Sequence, residues 1–403
     1  MKISIITPSF NQGRFIERTI QSVLSQNYRD LEYIVVDGGS TDETLTILKK
    51  YEGRLRWISE KDSGQSNAIN KGFRMARGEI VAWLNSDDIY LPGALRKIAR
   101  YFAKHPGVMM VYGEGYMIDE HDNTKCRFPF TEPKFDLAKL IYYGDYVLQQ
   151  STFMRRTVFD DIPMLDESLH FGMDWDLFIR IGKKFRVEYI PEYIGCIREH
   201  GEAKTSSGGV RRFRELVKVI RNHAVERYPM AYINYGLDAY TKALFGDKAD
   251  GLDNGSTKTR IPDWLRRAGL RMVSLYARRV QHEYYADGWI GRQAMFVLPN
   301  FGSNVHNSKL VLEGEAFRPN IPLKVSMVVS GKVDGGHVRA SNSYLAKETG
   351  TFRVSINLPA DIALSECFHV RVKNNGTYVP RNLGMSADTR ALGFLLKRIE
   401  TAP

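Results

Sequence analysis

The first hundred residues alternate short apolar runs with amphipathic stretches. Residues 2–9 (KISIITPS) predict a strand that begins almost at once. Residues 11–26 (NQGRFIERTIQSVLSQ) carry Phe15, Ile16, Ile20, Val23 and Leu24 at helical spacing, with Asn11 in reach of the N-cap. Residues 31–39 (LEYIVVDGG) predict a second strand. Ser40 and Glu43 then have capping-box spacing for a helix closed by Gly53. A third strand (54–62), a third helix (63–78) and a fourth strand (79–85) complete the rhythm. Such alternation predicts an α/β fold: a mostly parallel, Rossmann-like sheet with flanking helices.

The period changes further on. Residues 211–245 read as helical, 247–259 as a polar linker, and 261–285 as a helix with Pro262 in its first turn. From about residue 290 apolar and polar positions alternate, in 308–315, 322–331, 350–359 and 367–375. Period two with Gly, Pro and Asn between the runs predicts a C-terminal antiparallel β-sandwich. The expected organisation is therefore 1–210, a basic helical segment 211–288, and a sandwich 289–403.

Composition adds three constraints. A chain of 403 residues exceeds one ordinary core. No apolar run approaches the roughly 18 residues of a membrane span, and the first residues do not form a signal peptide. Cys126, Cys196 and Cys367 lack metal-ligand spacing, so inert thiols in a reducing cytoplasm are expected. The net charge is +11, and residues 211–282 hold 15 Lys/Arg against 7 Asp/Glu. That surplus points to an anionic partner. No aromatic–basic module signature supports nucleic acid. Arg266, Arg267, Arg271, Arg278 and Arg279 flank an apolar stripe in 261–285, which suggests a helix packed on the first domain. The sharper expectation is peripheral contact with the inner membrane surface or a lipid diphosphate.

The chemistry concentrates at strand ends. In VAWLNSDDIYLP (81–92) an apolar strand stops at Asp87 and Asp88. Two like charges beside a core require a cation or ligand. In open α/β sheets ligands bind beyond the carboxyl ends of the strands. Those ends carry Thr7, Pro8, Ser9 and Asn11; Asp37, Gly38 and Gly39; Glu60, Lys61 and Asp62; and Asn85, Asp87 and Asp88.

Taken in order, TPSFNQGRFIERTIQSVLSQ, VVDGGSTDET, SEKDSGQSNAINKG, WLNSDD and GMDWDLFIR resemble the family 2 glycosyltransferases over about residues 1–205. The resemblance implies a GT-A fold and inverting transfer from a nucleotide diphosphate sugar, of UDP type, to a hydroxyl. It implies Mn²⁺ or Mg²⁺ bridging the diphosphate, with Asp88 as metal ligand, Asp87 on ribose or metal, and His200 as a further metal or phosphate contact. Thr7, Pro8, Ser9, Asp37, Asp62, Asn67 and Asn70 fall at nucleotide-binding positions. Asp174 falls at the position of the base, with Asp176 as the fallback. Trp175, Gln150 and Arg198 fall on the acceptor and diphosphate side. Two departures stand out: Asn85 where family members often have Asp, and Met173 where a Glu often precedes the base. The trailing sheet is similar to β-sandwich modules appended to some bacterial glycosyltransferases. The implied acceptor is a glycan or lipid-linked glycan of a surface polysaccharide such as O-antigen or capsule, made at the cytoplasmic face.

Other classes fit less well. A dehydrogenase needs a Gly-rich turn where this chain has TPSFNQ. A sugar nucleotidyltransferase wants a Gly-rich, basic first loop. A processive synthase needs membrane spans and a Gln-x-x-Arg-Trp segment. The rival from another class is a non-catalytic glycan-binding scaffold with a degenerate transferase domain. Joint retention of Asp37, Asp87, Asp88 and Asp174 argues against it.

Overall fold

The computed structural model describes residues 1–204, 208–225, 231–232, 235–236, 289–291, 293–299, 309–317, 320–333, 336–358, 367–375, 377 and 394–402. The linker expected at 247–259 and the arginine-bearing helix expected at 261–285 lie outside the described residues. The chain divides into two compact units. One is Met1–Asp136 with Gly144–Asn222 and Asn234–Asp250; the other is Leu137–Tyr143 with His223–Ile233 and Gly251–Pro403. The first unit thus runs past the boundary at 210 expected from the sequence.

In chain order the elements up to residue 223 are β1 (Ile3–Ser9), α1 (Gly13–Leu24), β2 (Leu31–Asp37), α2 (Thr44–Lys50), β3 (Arg56–Ser59), α3 (Gln65–Met75), β4 (Ile80–Trp83), β5 (Ile89–Tyr90), α4 (Ala94–Lys104), β6 (Met110–Ile118), β7 (Thr124–Arg127), α5 (Leu137–Tyr142), β8 (Thr152–Arg155), α6 (Val158–Asp161), α7 (Met173–Lys184), β9 (Val187–Arg198) and α8 (Gly209–His223). All but α5 belong to the first unit, α8 up to Asn222. The sheet order is β3-β2-β1-β4-β8-β6-β9-β5, with β7 on the edge of β6. Strands β1 to β4 are parallel. Strand β8 inserts antiparallel between β4 and β6, so the sheet is mixed.

The topology sets one end of the sheet apart. The chain steps outward from β1 through β2 to β3, then returns to the other side of β1 as β4. The connections beyond β1 and β4 therefore diverge, and in open sheets ligands bind beyond the carboxyl ends of the strands at such a point. Strands β1 and β4 are buried along their whole length, as strands covered on both faces require. Ile3, Ile5, Val35, Ile80 and Ala82 pack with Ile16, Ile20 and Val23 of α1 and with Ile98 and Phe102 of α4. That core fixes the strand tips.

Two expected caps have other partners. Helix α1 has Gln12 at its cap position, without a side-chain cap bond. Asn11 adopts a left-handed φ of 52°, and its Oδ1 accepts the Thr41 N–H at 2.8 Å. Ser40 Oγ donates to Asp37 at 2.5 Å and accepts from the Asn11 N–H at 2.7 Å. Both side chains pin the loops after β1 and β2 to each other, and that long-range demand outweighs local capping.

In the second unit the strands are β10 (Trp289–Ile290), β11 (Gln293–Pro299), β12 (Lys309–Ala316), β13 (Leu323–Val333), β14 (Gly336–Ala346), β15 (Gly350–Asn357), β16 (Cys367–Asn374) and β17 (Phe394–Ala402). They form two antiparallel four-stranded sheets, β10-β17-β12-β15 and β11-β16-β13-β14. Inward positions such as Leu310, Leu312, Val325, Met327, Phe352, Val354, Phe368 and Phe394 make one core, which is the sandwich expected from the period-two runs. Among the described residues no helix is long and apolar enough to cross a membrane.

Candidate active site

Strand β4 delivers its tip into a polar network. Asp88 is only 2% exposed. Its Oδ2 accepts from Gln150 Nε2 at 2.7 Å and Asn85 Nδ2 at 3.0 Å, and its Oδ1 accepts the Arg198 N–H at 2.9 Å. Burial, then the charge of Asp87, pushes this carboxyl up to about 8, against those three hydrogen bonds. Asp87 differs. Its side chain is 22% exposed, and its Oδ2 lies 2.9 Å from His200 Nε2. The sequence suggested Asp88 as the direct metal ligand; both of its oxygens are engaged inside the protein, and Asp87 presents the open carboxylate.

Arg198 does not close over a ligand. Its side chain is 0% exposed. Nε donates to the Asp87 carbonyl at 2.6 Å, and Nη1 meets the Asp119 carbonyl at 2.9 Å and Asp122 Oδ1 at 2.5 Å. Its guanidinium also stacks 5.3 Å from the Phe15 ring, which His200 approaches from 4.6 Å. Arg198 therefore holds the Asp87–Asp88 turn from behind. The expectation of a diphosphate contact gives way to a buried brace, because the turn after β6 supplies acceptors for it.

On the nucleotide side, Thr7 is buried with Oγ1 3.1 Å from the Tyr33 hydroxyl. Pro8 is buried beside it, and Ser9 Oγ is buried without a hydrogen-bond partner among the described residues. An orphaned hydroxyl at a strand tip is a place for a ligand to bind. Phe10, next in the chain, is 59% exposed. Asp37 is fully buried, and its carboxylate takes the N–H groups of Gly39 and Ser40 and the hydroxyls of Ser40 and Ser59. It shapes its own loop. Asp62 is half-exposed. Its Oδ1 accepts the Gly64 N–H, and its Oδ2 lies where a Cβ on Gly38 would stand 2.7 Å away. The glycine at 38 thus makes room for the Asp62 carboxylate. Asn67 and Asn70 are not gathered there. Asn67 Nδ2 binds Glu167, while Asn70 binds Glu167 and the backbone of Leu165. Their i,i+3 spacing serves to tie α3 to the segment before α7.

The base candidate stands at the start of α7. Asp174 is half-buried and its Oδ1 accepts the Trp175 N–H at 2.9 Å. Burial raises its carboxyl, while Lys204 and Arg212 oppose that shift. Asp176 is engaged elsewhere, in an ion pair with Arg180 at 2.7 Å. Trp175 is 1% exposed and packs 5.4 Å from the Tyr235 ring, so it is core and walls no open site. Two groups escaped the sequence reading. Asp145 lies on a loop whose N–H donates to the Tyr235 hydroxyl at 2.9 Å. Its carboxyl is pushed well above the usual range by burial and then by the charge of Asp174. Glu215 of α8 accepts the N–H groups of His170, Phe171 and Gly172, at 2.8, 2.5 and 2.9 Å, and so anchors the entry to α7. Only the GDY turn and one acid in a basic helix hinted at either.

Among the described residues no cluster of three or more His, Cys, Asp or Glu side chains is preassembled around a metal. The Asp87–His200 pair nonetheless fits Mg²⁺ or Mn²⁺. Such ions take few protein ligands and use phosphate and water for the rest. Adjacent donors of an octahedral site at about 2.1 Å lie about 3 Å apart, and the pair is 2.9 Å apart. His200 Nδ1 is buried without a partner among the described residues.

Residues 4–162 match the family model described as Glycosyl transferase family 2. An uncharacterized glycosyltransferase of Rickettsia prowazekii (strain Madrid E) is 26% identical over 218 residues, 53% of this chain and 68% of its own length. Chondroitin synthase of Escherichia coli is 28% identical over 203 residues, 50% of this chain and 29% of its own length. The structure of S. aureus TarS 1–349 in complex with UDP-GlcNAc aligns with a TM-score of 0.45 and 19% identity, over 70% of this chain and 82% of that one.

Proposed function

The chain belongs to glycosyltransferase family 2 through its N-terminal domain, and from that premise we propose that it is a metal-dependent, inverting enzyme. It moves a sugar from a nucleotide diphosphate donor, of UDP type, to a hydroxyl of a glycan or lipid-linked glycan. The observation that carries this reading is the open Asp87 carboxylate beside His200 at one strand tip, with the raised carboxyl of Asp174 at a neighbouring helix start.

Asp87 and His200 would hold Mn²⁺ or Mg²⁺, which supplies charge neutralisation to the diphosphate when bound. The chain's own residues do the rest. Asp62, Ser9 and the exposed Phe10 face the base and ribose. Asp88, Gln150 and Arg198 fix the turn that carries Asp87. Asp174 takes the proton of the acceptor hydroxyl as that oxygen attacks the anomeric carbon from the side opposite the leaving group. Its raised basicity suits a base working near neutral pH. A role in surface polysaccharide synthesis, with work at the inner face of the membrane, is part of the same reading.

The test is binding followed by turnover. UDP with Mn²⁺ is expected to raise the melting temperature, and chelation to abolish most of that rise. Asp174→Asn should keep this stabilisation while transfer falls by a factor on the order of 10³ or more. No stabilisation by any nucleoside diphosphate, with or without metal, would sink the donor assignment; full turnover by the variant would move the base elsewhere.

A further inference from the structure

Lys204 lies between the donor tip and the base helix. Its Nζ donates to Gln65 Oε1 at 2.6 Å and to the His170 carbonyl at 2.8 Å. Gln65 Nε2 donates in turn to Asn85 Oδ1 at 2.8 Å, and Asn85 Nδ2 to Asp88 Oδ2 at 3.0 Å. An ammonium only donates, so Gln65 turns its oxygen to Lys204 and its amide nitrogen to Asn85, whose own amide nitrogen then reaches Asp88 Oδ2. On its other side, His170 belongs to the three-residue loop whose N–H groups hold Glu215. The lysine thus joins the Asp88 network to the entry of the helix that carries Asp174.

The charges around Lys204 point the same way. Asp174, Glu215 and Asp87 all act on its ammonium, the first two from the base side and the third from the donor tip. Burial outweighs them and lowers its basicity to about 8. Lys204 is thus a partly desolvated cation acted on both by the donor-tip Asp87 and by Asp174 of the base helix. Arg198 cannot serve that purpose, because its guanidinium is shut behind the Asp87–Asp88 turn by Asp122 and two carbonyls.

Resting on the donor reading above, we propose that Lys204 is a further catalytic residue, whose ammonium hydrogen-bonds the diphosphate oxygen that leaves the sugar. The bond between the anomeric carbon and that oxygen breaks, and its electron pair stays on the diphosphate. The acceptor oxygen bonds to the carbon, and its proton goes to Asp174. Lys204 keeps its own proton throughout and stabilises the charge that appears on the departing oxygen.

The experiment compares UDP and UMP binding, by calorimetry with Mn²⁺ present, in the wild type and in Lys204→Met, Lys204→Gln and Lys204→Arg, together with kcat for transfer. Loss of the cation should weaken UDP about tenfold and leave UMP within about twofold, since UMP lacks the outer phosphate. In Lys204→Met and Lys204→Gln, kcat should fall about 10²-fold, with Lys204→Arg intermediate. Lys204→Gln can still donate to Gln65 and His170, so it separates charge from scaffolding. Equal loss of UDP and UMP, or wild-type kcat in Lys204→Gln, would overturn the proposal while the donor reading stands. Failure of wild type to bind any nucleoside diphosphate would overturn the donor reading, and this proposal with it.

Discussion

His200 Nε2 lies 2.9 Å from Asp87 Oδ2, and this pairing sets apart the two neighbouring aspartates of the strand tip. Asp87 keeps solvent contact, whereas Asp88 is enclosed by Gln150, Asn85 and the Arg198 backbone. His200→Ala and Asp87→Asn should therefore each weaken Mn²⁺ binding in the presence of UDP directly, by at least the 10–100-fold that even outer partners of a metal site command. Mn²⁺ titration followed by electron paramagnetic resonance reads this without turnover. Asp88→Asn should lose thermal stability first, as one acceptor oxygen becomes a donor facing other donors. Unchanged Mn²⁺ affinity in His200→Ala would remove the histidine from the site.

Arg198 makes a contrasting case. A diphosphate-binding arginine can be removed with little effect on folding. A buried one that holds two carbonyls and Asp122 cannot. Arg198→Met strands the Asp87 and Asp119 carbonyls and leaves Asp122 partly exposed, so a loss of about 3 kcal/mol in unfolding free energy is expected. Urea denaturation measures it. A stable Arg198→Met protein with weakened UDP affinity would restore the ligand-contact role that the resemblance implies.

The reach of sequence reasoning follows from how local each cause is. The strands β1, β2 and β4 and their order of chemistry were legible because burial on both faces writes apolar runs, and because Asp87 and Asp88 follow the last of them. The period-two sandwich was legible through β12, β13, β15 and β16, whose one buried face writes the alternation, but not through β10, β11 and β17, nor through β14, whose outer stretch Ser341–Leu345 is exposed throughout. Long-range partners were not legible. Asn67 and Asn70 have the spacing of a ligand-facing pair, yet their partner Glu167 lies about a hundred positions on. Arg198 reads as a loop cation until Asp122 and the Asp119 carbonyl are seen beneath it. Lys204 and Glu215 gain meaning only when α8 is seen against the entry to α7. Gly172 shows how close that approach is, since a Cβ there would meet Leu216 at 2.9 Å.

Asp145 offers the sharpest pH test of the base. Its Oδ1 accepts the Val147 N–H at 2.9 Å, which holds the carboxylate in place near Asp174. Burial raises both carboxyls, and the charge of Asp174 adds to the rise at Asp145. Transfer requires Asp174 ionised, so the acid limb of kcat/KM should lie above the ordinary carboxylate range near 4. The charge of Asp174 is part of what raises Asp145, so Asp174 ionises while Asp145 is still neutral, and Asp145→Asn should leave that limb in place. Stability responds to Asp145 itself. A carboxyl raised in the folded state contributes stability below its unfolded value and loses it as pH rises through the folded one. The wild type should therefore lose stability relative to Asp145→Asn as pH climbs from about 4 through the raised folded values. Paired pH–rate and pH–denaturation curves check both halves. If the acid limb moves to lower pH in Asp145→Asn, Asp145 ionises before Asp174, and the order of titration inferred from their surroundings is wrong.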